Sequence, residues 1–263
     1  MAYFDKYGVK FSVDRKTLAK CPKDFHGEYV IPNSVTRIGG RAFSFCSGLT
    51  SVTISNSVTS IGNNAFSGCS GLTCVTIPKS VINIGYDAFS GCFGLTSIEI
   101  PNSVKNIGSH AFYGCSGLTS VTIPISVTTI ENGTFCGCSG LTSVTIPNCV
   151  TSIGDGAFAK CSGLTSVTIP NSVAKIGYEA FSYCSSLTSV TIPDSVTTIG
   201  YDAFLACLGL TSVTMGNGVS SIAYGAFRSC ENLKEIYVPK GQKARFAQME
   251  GLVEYVDKII ENQ

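Results

Sequence analysis

Hydrophobic and polar residues follow a pattern along this chain that repeats every 23 residues. Nine phenylalanines mark the period at constant spacing: Phe43, Phe66, Phe89, Phe112, Phe135, Phe158, Phe181, Phe204 and Phe227. No insertion or deletion interrupts that spacing. A fixed period of this length is typical of a solenoid, because one repeat cannot bury its apolar side chains alone and does so by stacking on its neighbours.

Within each repeat the pattern predicts two short strands and one helical turn. Apolar and hydroxyl-bearing residues alternate over 49–54, which favours a strand, and Val58 and Ile61 return to the core in a second, shorter strand. The helical turn is predicted from apolar residues at spacing i, i+1, i+4: Ala65, Phe66 and Cys69. Gly71 follows that turn, where a left-handed residue would end it. Parallel strands would then join repeat to repeat.

The two ends of the chain leave the repeat and are predicted to cap it. We expect residues 1–31 to form a β-hairpin cap and the first strand, and residues 32–233 to form nine repeats. We expect residues 234–263 to form a C-terminal cap with a strand, a short helix over 241–249 and a strand over 252–256. Caps are needed because the end repeats would otherwise expose core and strand edge.

Most of the 13 cysteines occupy one column of the repeat. That column holds nine members: Cys46, Cys69, Cys92, Cys115, Cys138, Cys161, Cys184, Cys207 and Cys230. We predict buried, reduced thiols that pack as small apolar groups. A zinc site is not expected from this column, since ligands in a line cannot form a tetrahedron. Cys74 replaces a serine on the predicted strand face and is expected to be an exposed thiol.

Charge and hydropathy exclude some classes of function. The net charge is +1, and residues 31–230 hold seven Lys/Arg and seven Asp/Glu, so nucleic-acid binding is not expected. No apolar run is long enough for membrane insertion. The first residues show no apolar run of signal-peptide length, so we expect either a cytoplasmic protein or one whose leader has been removed.

The repeat unit closely resembles a known family. The stretch Cys161–Phe181, C-S-G-L-T-S-V-T-I-P-N-S-V-A-K-I-G-Y-E-A-F, is similar to the BspA-like class of leucine-rich repeats. The ends G-V-K-F-S-V-D-R-K-T-L-A-K-C-P and I-Y-V-P-K-G resemble caps of that class. The resemblance implies a leucine-rich-repeat solenoid, β-rich and capped at both ends. It also implies a non-catalytic, cell-surface or secreted protein that adheres to host-matrix proteins or to other cells.

The sequence offers little for catalysis. Only two histidines are present: His26 falls in the leucine column of the cap, where we expect it to be partly buried, and His110 takes a turn position, where we expect a solvated side chain. No Ser-His-Asp set, phosphate loop or paired CxxC motif is present, so neither an enzyme nor a cofactor is expected. Asn132-Gly133-Thr134 is treated as a chance match to a glycosylation sequon, and Cys136 with Cys138 is not expected to form a redox or metal pair.

Two exposed columns are candidate partner-binding surfaces. On the strand face, which the resemblance implies is concave, a hydroxyl array is expected at Ser120, Thr122, Ser143, Thr145, Ser166, Thr168, Ser189 and Thr191. After the Ile-Gly pair a second column brings Tyr178, Tyr201 and Tyr224 onto consecutive repeats, with Glu179 and Asp202 beside them and Tyr86 earlier in the column. Tyrosines are favoured anchors of protein interfaces. The alternatives are a β-favouring hydroxyl array without function and tyrosine rings that stack for local stability.

Three functions therefore remain open. A surface adhesin or protein-binding module is favoured by the family resemblance. An intracellular interaction scaffold is favoured by the many unpaired thiols, which oxidising compartments select against. An ice- or lattice-binding solenoid is the most distant alternative, suggested by the Ser-x-Thr array alone.

Overall fold

Two parallel β-ladders run along the molecule, and the repeats contribute short strands to each. The structure is a computed structural model and describes residues 2–262. The first ladder is built from the strands Gly27–Val30, Leu49–Thr53, Cys74–Thr76, Ser120–Thr122, Ser143–Thr145, Ser189–Thr191, Ser212–Thr214, Glu235–Val238 and Ile259–Glu261. The second ladder is built from Arg37–Ile38, Ser60–Ile61, Asn83–Ile84, Asn106–Ile107, Thr129–Ile130, Ser152–Ile153, Lys175–Ile176, Thr198–Ile199 and Ser221–Ile222. We call one turn of the chain through both ladders a rung.

Equivalent residues of successive repeats lie side by side. Ser120 pairs with Ser143 and Ile130 with Ile153, so the pairing register equals the sequence period of 23. The predicted inward columns are confirmed as buried; in one repeat they are Val58, Ile61, Ala65, Phe66, Cys69, Leu72, Val75 and Ile77. The nine phenylalanine rings form one stack, with centroids 4.9–5.4 Å apart and interplanar angles of 9° or less. Burying one such apolar side chain completely stabilises the fold by about 1.5–3 kcal/mol.

The segment between the second strand and the next repeat is not helical, contrary to the sequence prediction. Local turns alternate with bonds between rungs: the Ala65 N–H donates to the Gly62 carbonyl at 3.2 Å, and the Phe66 N–H donates to the Ala88 carbonyl of the next rung at 2.7 Å. Asn64 and Gly68 have left-handed backbone, with φ of 56° and 73°. A helix cannot form here, because left-handed residues interrupt it and the neighbouring rung takes its N–H groups.

Gly71, which follows this turn, lets two rungs pack closely and does not end a helix. Gly71 is not among the left-handed residues, and a Cβ added to it would lie 2.3 Å from the Ser47 carbonyl oxygen of the preceding rung. The prediction that Gly71 is left-handed is therefore wrong. Gly68, three residues earlier, has that conformation.

At the N-terminal end, the predicted hairpin is present, with strands Tyr3–Phe4, Lys10–Phe11 and Thr17–Lys20. These strands pair antiparallel, and the last one pairs in parallel with Arg37–Ile38 of the second ladder. The expectation that His26 is partly buried is wrong, because its side chain is exposed. A shift in the pairing register places Gly27 opposite Leu49, so His26 does not enter the leucine column.

The C-terminal end contains a strand, two short helices and a final strand. An α-helix spans Lys243–Ala247, within the predicted range, and a 3₁₀ helix spans Glu250–Lys258. The strand predicted over 252–256 is wrong, because those residues lie in the 3₁₀ helix; Ile259–Glu261 is the strand, parallel to Glu235–Val238. The helical path lets the Tyr255 hydroxyl donate to the Phe227 carbonyl at 2.6 Å and so satisfy an acceptor of the last repeat.

One rung step interrupts both ladders. We call it the seam: between residues 96–108 and 119–131 no strands pair, although the Thr119 N–H still donates to the Thr96 carbonyl at 3.2 Å and strand pairing continues on either side. In neighbouring repeats a glycine N–H donates to the preceding rung, as Gly108 does to the Ile84 carbonyl at 3.0 Å. Glu131 occupies this glycine column at the seam, and within residues 2–262 its N–H makes no such bond to Ile107. The first ladder also has no strand over 164–169, where only Thr165 bonds to its neighbours and the second ladder continues.

None of the helices within residues 2–262 combines the length and the apolar character that crossing a bilayer requires.

Candidate functional site

The hydroxyl array on the first ladder faces solvent. Its eight side chains are all exposed: Ser120, Thr122, Ser143, Thr145, Ser166, Thr168, Ser189 and Thr191. None of these hydroxyls hydrogen-bonds to another described residue, whereas the threonine column beside them is engaged. The Thr142 hydroxyl, for example, donates to the Thr119 carbonyl of the preceding rung at 3.1 Å. The array is therefore free to meet a partner, and Cys74 lies in the same face as an exposed free thiol.

Tyr178, Tyr201 and Tyr224 form a stripe of exposed rings on three consecutive rungs. Their exposed fractions are 47%, 54% and 50%. No ring contact joins them in the described part of the chain, in contrast to the buried phenylalanine stack. The rings are therefore not used to stack against each other, as one alternative required. Tyr86 is exposed in the same column but belongs to a distant rung.

The acidic residues beside the stripe have a backbone role as well as a charge. Glu179 and Asp202 have left-handed φ values of 50° and 52°. The same column is left-handed in every repeat: Arg41, Asn64, Asp87, His110, Gly133, Gly156 and Gly225 complete it. Short polar residues and glycine tolerate this conformation best, which explains much of the composition of the column.

The charges at this end of the stripe are partly paired. An Arg228 guanidinium nitrogen lies 3.4 Å from both carboxylate oxygens of Asp202. Oδ1 of Asp202 is nevertheless buried without a hydrogen bond. The Glu179 carboxylate, through hydrogen bonding and charge, raises the pKa of the exposed Tyr178. The stripe thus ends beside an incompletely satisfied carboxylate and a half-exposed arginine.

A family model described as the BspA type leucine rich repeat region, with six copies, matches residues 27–142 and 128–246. The chain belongs to the BspA-type leucine-rich-repeat family. Its structure is similar to that of the T. pallidum leucine rich repeat protein TpLRR, at 30% identity and a TM-score of 0.61, over 69% of this chain and 87% of the other. It is also similar to a leucine rich cell surface protein of Faecalibacterium prausnitzii, at 29% identity and a TM-score of 0.58, over 100% of this chain and 95% of the other. No curated protein matches this chain.

In this BspA-type scaffold the nine column cysteines are buried and unpaired, as predicted. They do more than fill space, because each thiol reaches a backbone carbonyl of an earlier rung. The Cys115 thiol, for example, donates to the Phe89 carbonyl at 3.2 Å, and the same oxygen accepts the Cys92 N–H at 3.1 Å. Burial raises the pKa of Cys115 and of Cys184 to about 12. The column is thus a row of buried, hydrogen-bonded thiols.

The BspA-type repeats end beside a groove that the sequence did not indicate. It has a volume of about 260 Å³ and lies between the last repeat and the 3₁₀ helix, lined by Tyr224, Arg228, Val253 and Tyr255. Because residues 252–256 were predicted as a strand, their helical packing beside Tyr224 was missed. The available signal was the i, i+3 spacing of Leu252 and Tyr255, which fits a helical turn and places both against the core. The tyrosine stripe runs directly into this groove.

The remaining chemistry-bearing residues stay apart. The Asn132 Oδ1 accepts the Asp155 N–H at 2.8 Å, and the buried Thr134 hydroxyl donates to the Glu131 carbonyl at 2.7 Å, so both sequon side chains already have structural partners. Cys136 is half-buried beside the buried Cys138, and His110 is exposed. Among residues 2–262 no three His, Cys, Asp or Glu side chains converge as metal ligands would.

Proposed function

We propose that this BspA-type chain is a non-catalytic protein-binding scaffold that acts in cell-surface adhesion to host-matrix or cell-surface proteins. The family and the fold support a binding scaffold. The surface location is supported by the printed description of the F. prausnitzii protein as a cell surface protein. The partner-binding surface is proposed to be the stripe of Tyr178, Tyr201 and Tyr224 together with the groove at its end.

The observation that carries this proposal is the continuity of stripe and groove. Tyr224 belongs to both, since it is the last ring of the stripe and lines the groove with Arg228 and Tyr255. Tyrosine and arginine beside an apolar pocket are the residue types that dominate protein interfaces. Rings on consecutive rungs are held by the rigid repeat, so little conformational entropy is lost when a partner binds.

The test is the binding of purified matrix proteins and intact cells to the full chain by surface plasmon resonance and cell-adhesion assay. Replacing Tyr178, Tyr201 and Tyr224 together by serine is expected to weaken binding by about tenfold or more, as for loss of an interface hot spot. Tyr86→Ser is the matched control, because it changes the same column on a distant rung. Unchanged binding of the triple variant, or no binding by the native chain, would contradict the proposal.

An intracellular interaction scaffold is the second candidate. It is supported by the 13 cysteines, all of which are free thiols. Oxidising compartments select against unpaired cysteines. Fractionation of source cells with an antibody against this chain distinguishes the two locations. The interruptions of the first ladder count against a surface that matches an ice lattice.

A further inference from the structure

A second aromatic surface lies at the other end of the solenoid, far along the chain from the tyrosine stripe. We call it the trough: a depression of about 620 Å³ lined by Phe45, Phe93, Ser47, Ser67, Ser70 and Ser90. The two phenylalanine side chains are 62% and 57% exposed. Neither belongs to the buried phenylalanine column. Large apolar rings exposed together in this way are typical of an interaction or ligand-binding site.

The rings are held in place by glycines beneath them. A Cβ added to Gly68 would lie 2.6 Å from Cδ1 of Phe45, so that ring rests against the bare backbone of the next rung. Added Cβ atoms on Gly91 and Gly114 would lie 3.9 Å and 3.7 Å from the Phe93 ring. Phe45 also has left-handed backbone, with φ of 62°, at a position where the next four repeats have glycine. A bulky residue is thus retained at a strained position where the repeat favours glycine.

The trough also offers serine hydroxyls that have no partner within the described chain. The hydroxyls of Ser47, Ser67, Ser70 and Ser90 make no hydrogen bond to any described residue. Serines of the turn column behave differently: the Ser80 hydroxyl donates to the Val58 carbonyl at 2.6 Å. The Lys23 ammonium lies 5.8 Å from the centroid of the Phe45 ring, and the residues that line the trough itself carry no charge. A ligand here meets two apolar rings, a glycine floor and free hydroxyl donors.

We propose that the trough binds a proline-rich protein segment in the polyproline II conformation. Such a helix exposes apolar pyrrolidine rings and leaves its backbone carbonyls without internal hydrogen bonds, so it needs aromatic faces and hydroxyl donors together. One of its turns advances about 9 Å, from three residues of 3.1 Å each. The rungs carrying Phe45 and Phe93 are two steps apart, roughly 10 Å at the adjacent ring spacings of 4.9 and 5.1 Å. Both rings rest on one glycine column, Phe45 on Gly68 and Phe93 on Gly91 and Gly114, so prolines one turn apart can each meet one phenylalanine.

This inference rests on the proposed protein-binding function and adds the class of ligand and a second surface. The trough lies in the rungs of residues 45–93, whereas the stripe lies in those of residues 178–224. Failure of either surface can therefore be recognised separately. The lining residues of the trough are uncharged, and a polyproline segment carries no side-chain charge, so binding is expected to depend weakly on salt even with Lys23 beside Phe45.

The repeat itself supplies test variants that should fold. Phe45→Gly and Phe93→Ser each install the residue that the next repeats carry in the same column. The matched control pair is Tyr183→Gly and Leu208→Ser, which make the same replacements in the same two columns on distant rungs. The probe is a fluorescently labelled L-nonaproline, and its D enantiomer, a helix of opposite hand, is the second control. Binding to the full chain is followed by fluorescence anisotropy.

The native chain is expected to bind L-nonaproline about tenfold or more tightly than D-nonaproline. The trough double variant should lose about tenfold in affinity, while the control pair stays within about twofold. The tyrosine triple variant should bind the peptide normally, even if it fails to bind matrix proteins. Absence of L-nonaproline binding, equal binding of both enantiomers, or normal binding by the trough variant would overturn the proposal. Binding of cellohexaose in place of the peptide would instead identify a glycan site and overturn it as well.

Discussion

Replacing Glu131 by glycine is predicted to close the seam and to stabilise the protein. In the repeats that flank the seam, the glycine of this column packs against the preceding rung; a Cβ on Gly108 would lie 2.5 Å from the Tyr86 nitrogen, and one on Gly154 would lie 2.7 Å from Asn132 Oδ1. A Cβ in this column therefore requires the backbone to shift: Ala223 keeps the bond to the preceding rung, whereas Glu131, with its longer side chain, lacks it. The seam lies at Glu131, where the second ladder loses its pairing.

The expected gain can be worked out from the hydrogen bonds that the seam lacks. Closing it would let the N–H of residue 131 reach the Ile107 carbonyl and the Thr128 N–H reach the Lys105 carbonyl, as equivalent groups do in neighbouring rungs. Each bond contributes about 0.5–1.5 kcal/mol net. Glycine offsets this by about 0.5–1 kcal/mol, because the unfolded chain gains freedom. The free energy of unfolding should rise by about 1 kcal/mol, or about 2–4 °C in Tm for a chain of this size.

The assay is hydrogen–deuterium exchange combined with thermal unfolding. In the Glu131→Gly variant the amides of residues 128 and 131 should become protected. Glu131→Ala should recover most of the effect, because Ala223 in the same column still donates to the Ile199 carbonyl at 3.0 Å, so Cβ alone is tolerated there. The converse change, Gly154→Glu, should open a second seam and lower Tm. If exchange at 128 and 131 is unchanged and Glu131→Gly lowers Tm, the assignment of the seam to this side chain is wrong.

Three further predictions concern the thiols and the left-handed positions. Burial raises the pKa of Cys115 and Cys184 to about 12, so the unfolded chain loses these protons at a lower pH than the folded chain does. The free energy of unfolding should be constant below about pH 8.5 and then fall by about 1.4 kcal/mol per pH unit per thiol towards pH 12. A urea-unfolding free energy that stays flat between pH 8 and 11 would contradict this. Ellman's reagent should modify the exposed Cys74 first in the native protein, and Cys74→Ser should remove the fast phase; persistence of that phase would disprove the assignment. Ala206→Gly should raise the free energy of unfolding by up to about 1 kcal/mol, because left-handed backbone costs an alanine about 1–2 kcal/mol. Ala203→Gly, in the core, should lower it. If urea unfolds the Ala206→Gly variant more easily than the Ala203→Gly variant, residue 206 is not strained.

The sequence predicts best those features of the fold that recur in every repeat. Val58 and Ile61 are recognisable as core residues because the same column is apolar in every repeat, and stacking requires equivalent residues to be buried together. The cysteine column follows from the same reasoning. Its hydrogen bonds do not, because the position of a carbonyl on an earlier rung depends on the backbone path.

Features that occur once, or that depend on backbone conformation, were predicted less well. The helical turn was inferred from apolar spacing alone, although the column of Asn64 and Asp87, with glycine in other repeats, is typical of left-handed backbone and excludes a helix. His26 was misplaced because a register shift cannot be seen in a single strand. The division at residues 31/32 and 233/234 and both partner-binding columns stay predictions, since exposure alone does not show what a surface binds.

The seam also affects how the two proposed surfaces can work together, because it lies between them. Across this step the turn side keeps its hydrogen bonds, with the Phe112 N–H donating to the Thr134 carbonyl at 2.9 Å. Both ladders lose their strand pairing, and the first keeps a bond from the Thr119 N–H to the Thr96 carbonyl at 3.2 Å. A step that is well bonded on one side and sparsely bonded on the other is less constrained on the ladder side. It can open there as a wedge, which changes the angle between the halves of the solenoid. A ligand held by the trough alone or by the stripe alone should therefore bind equally well after Glu131→Gly. A partner that contacts both surfaces should not, because its affinity depends on the angle that the wedge allows.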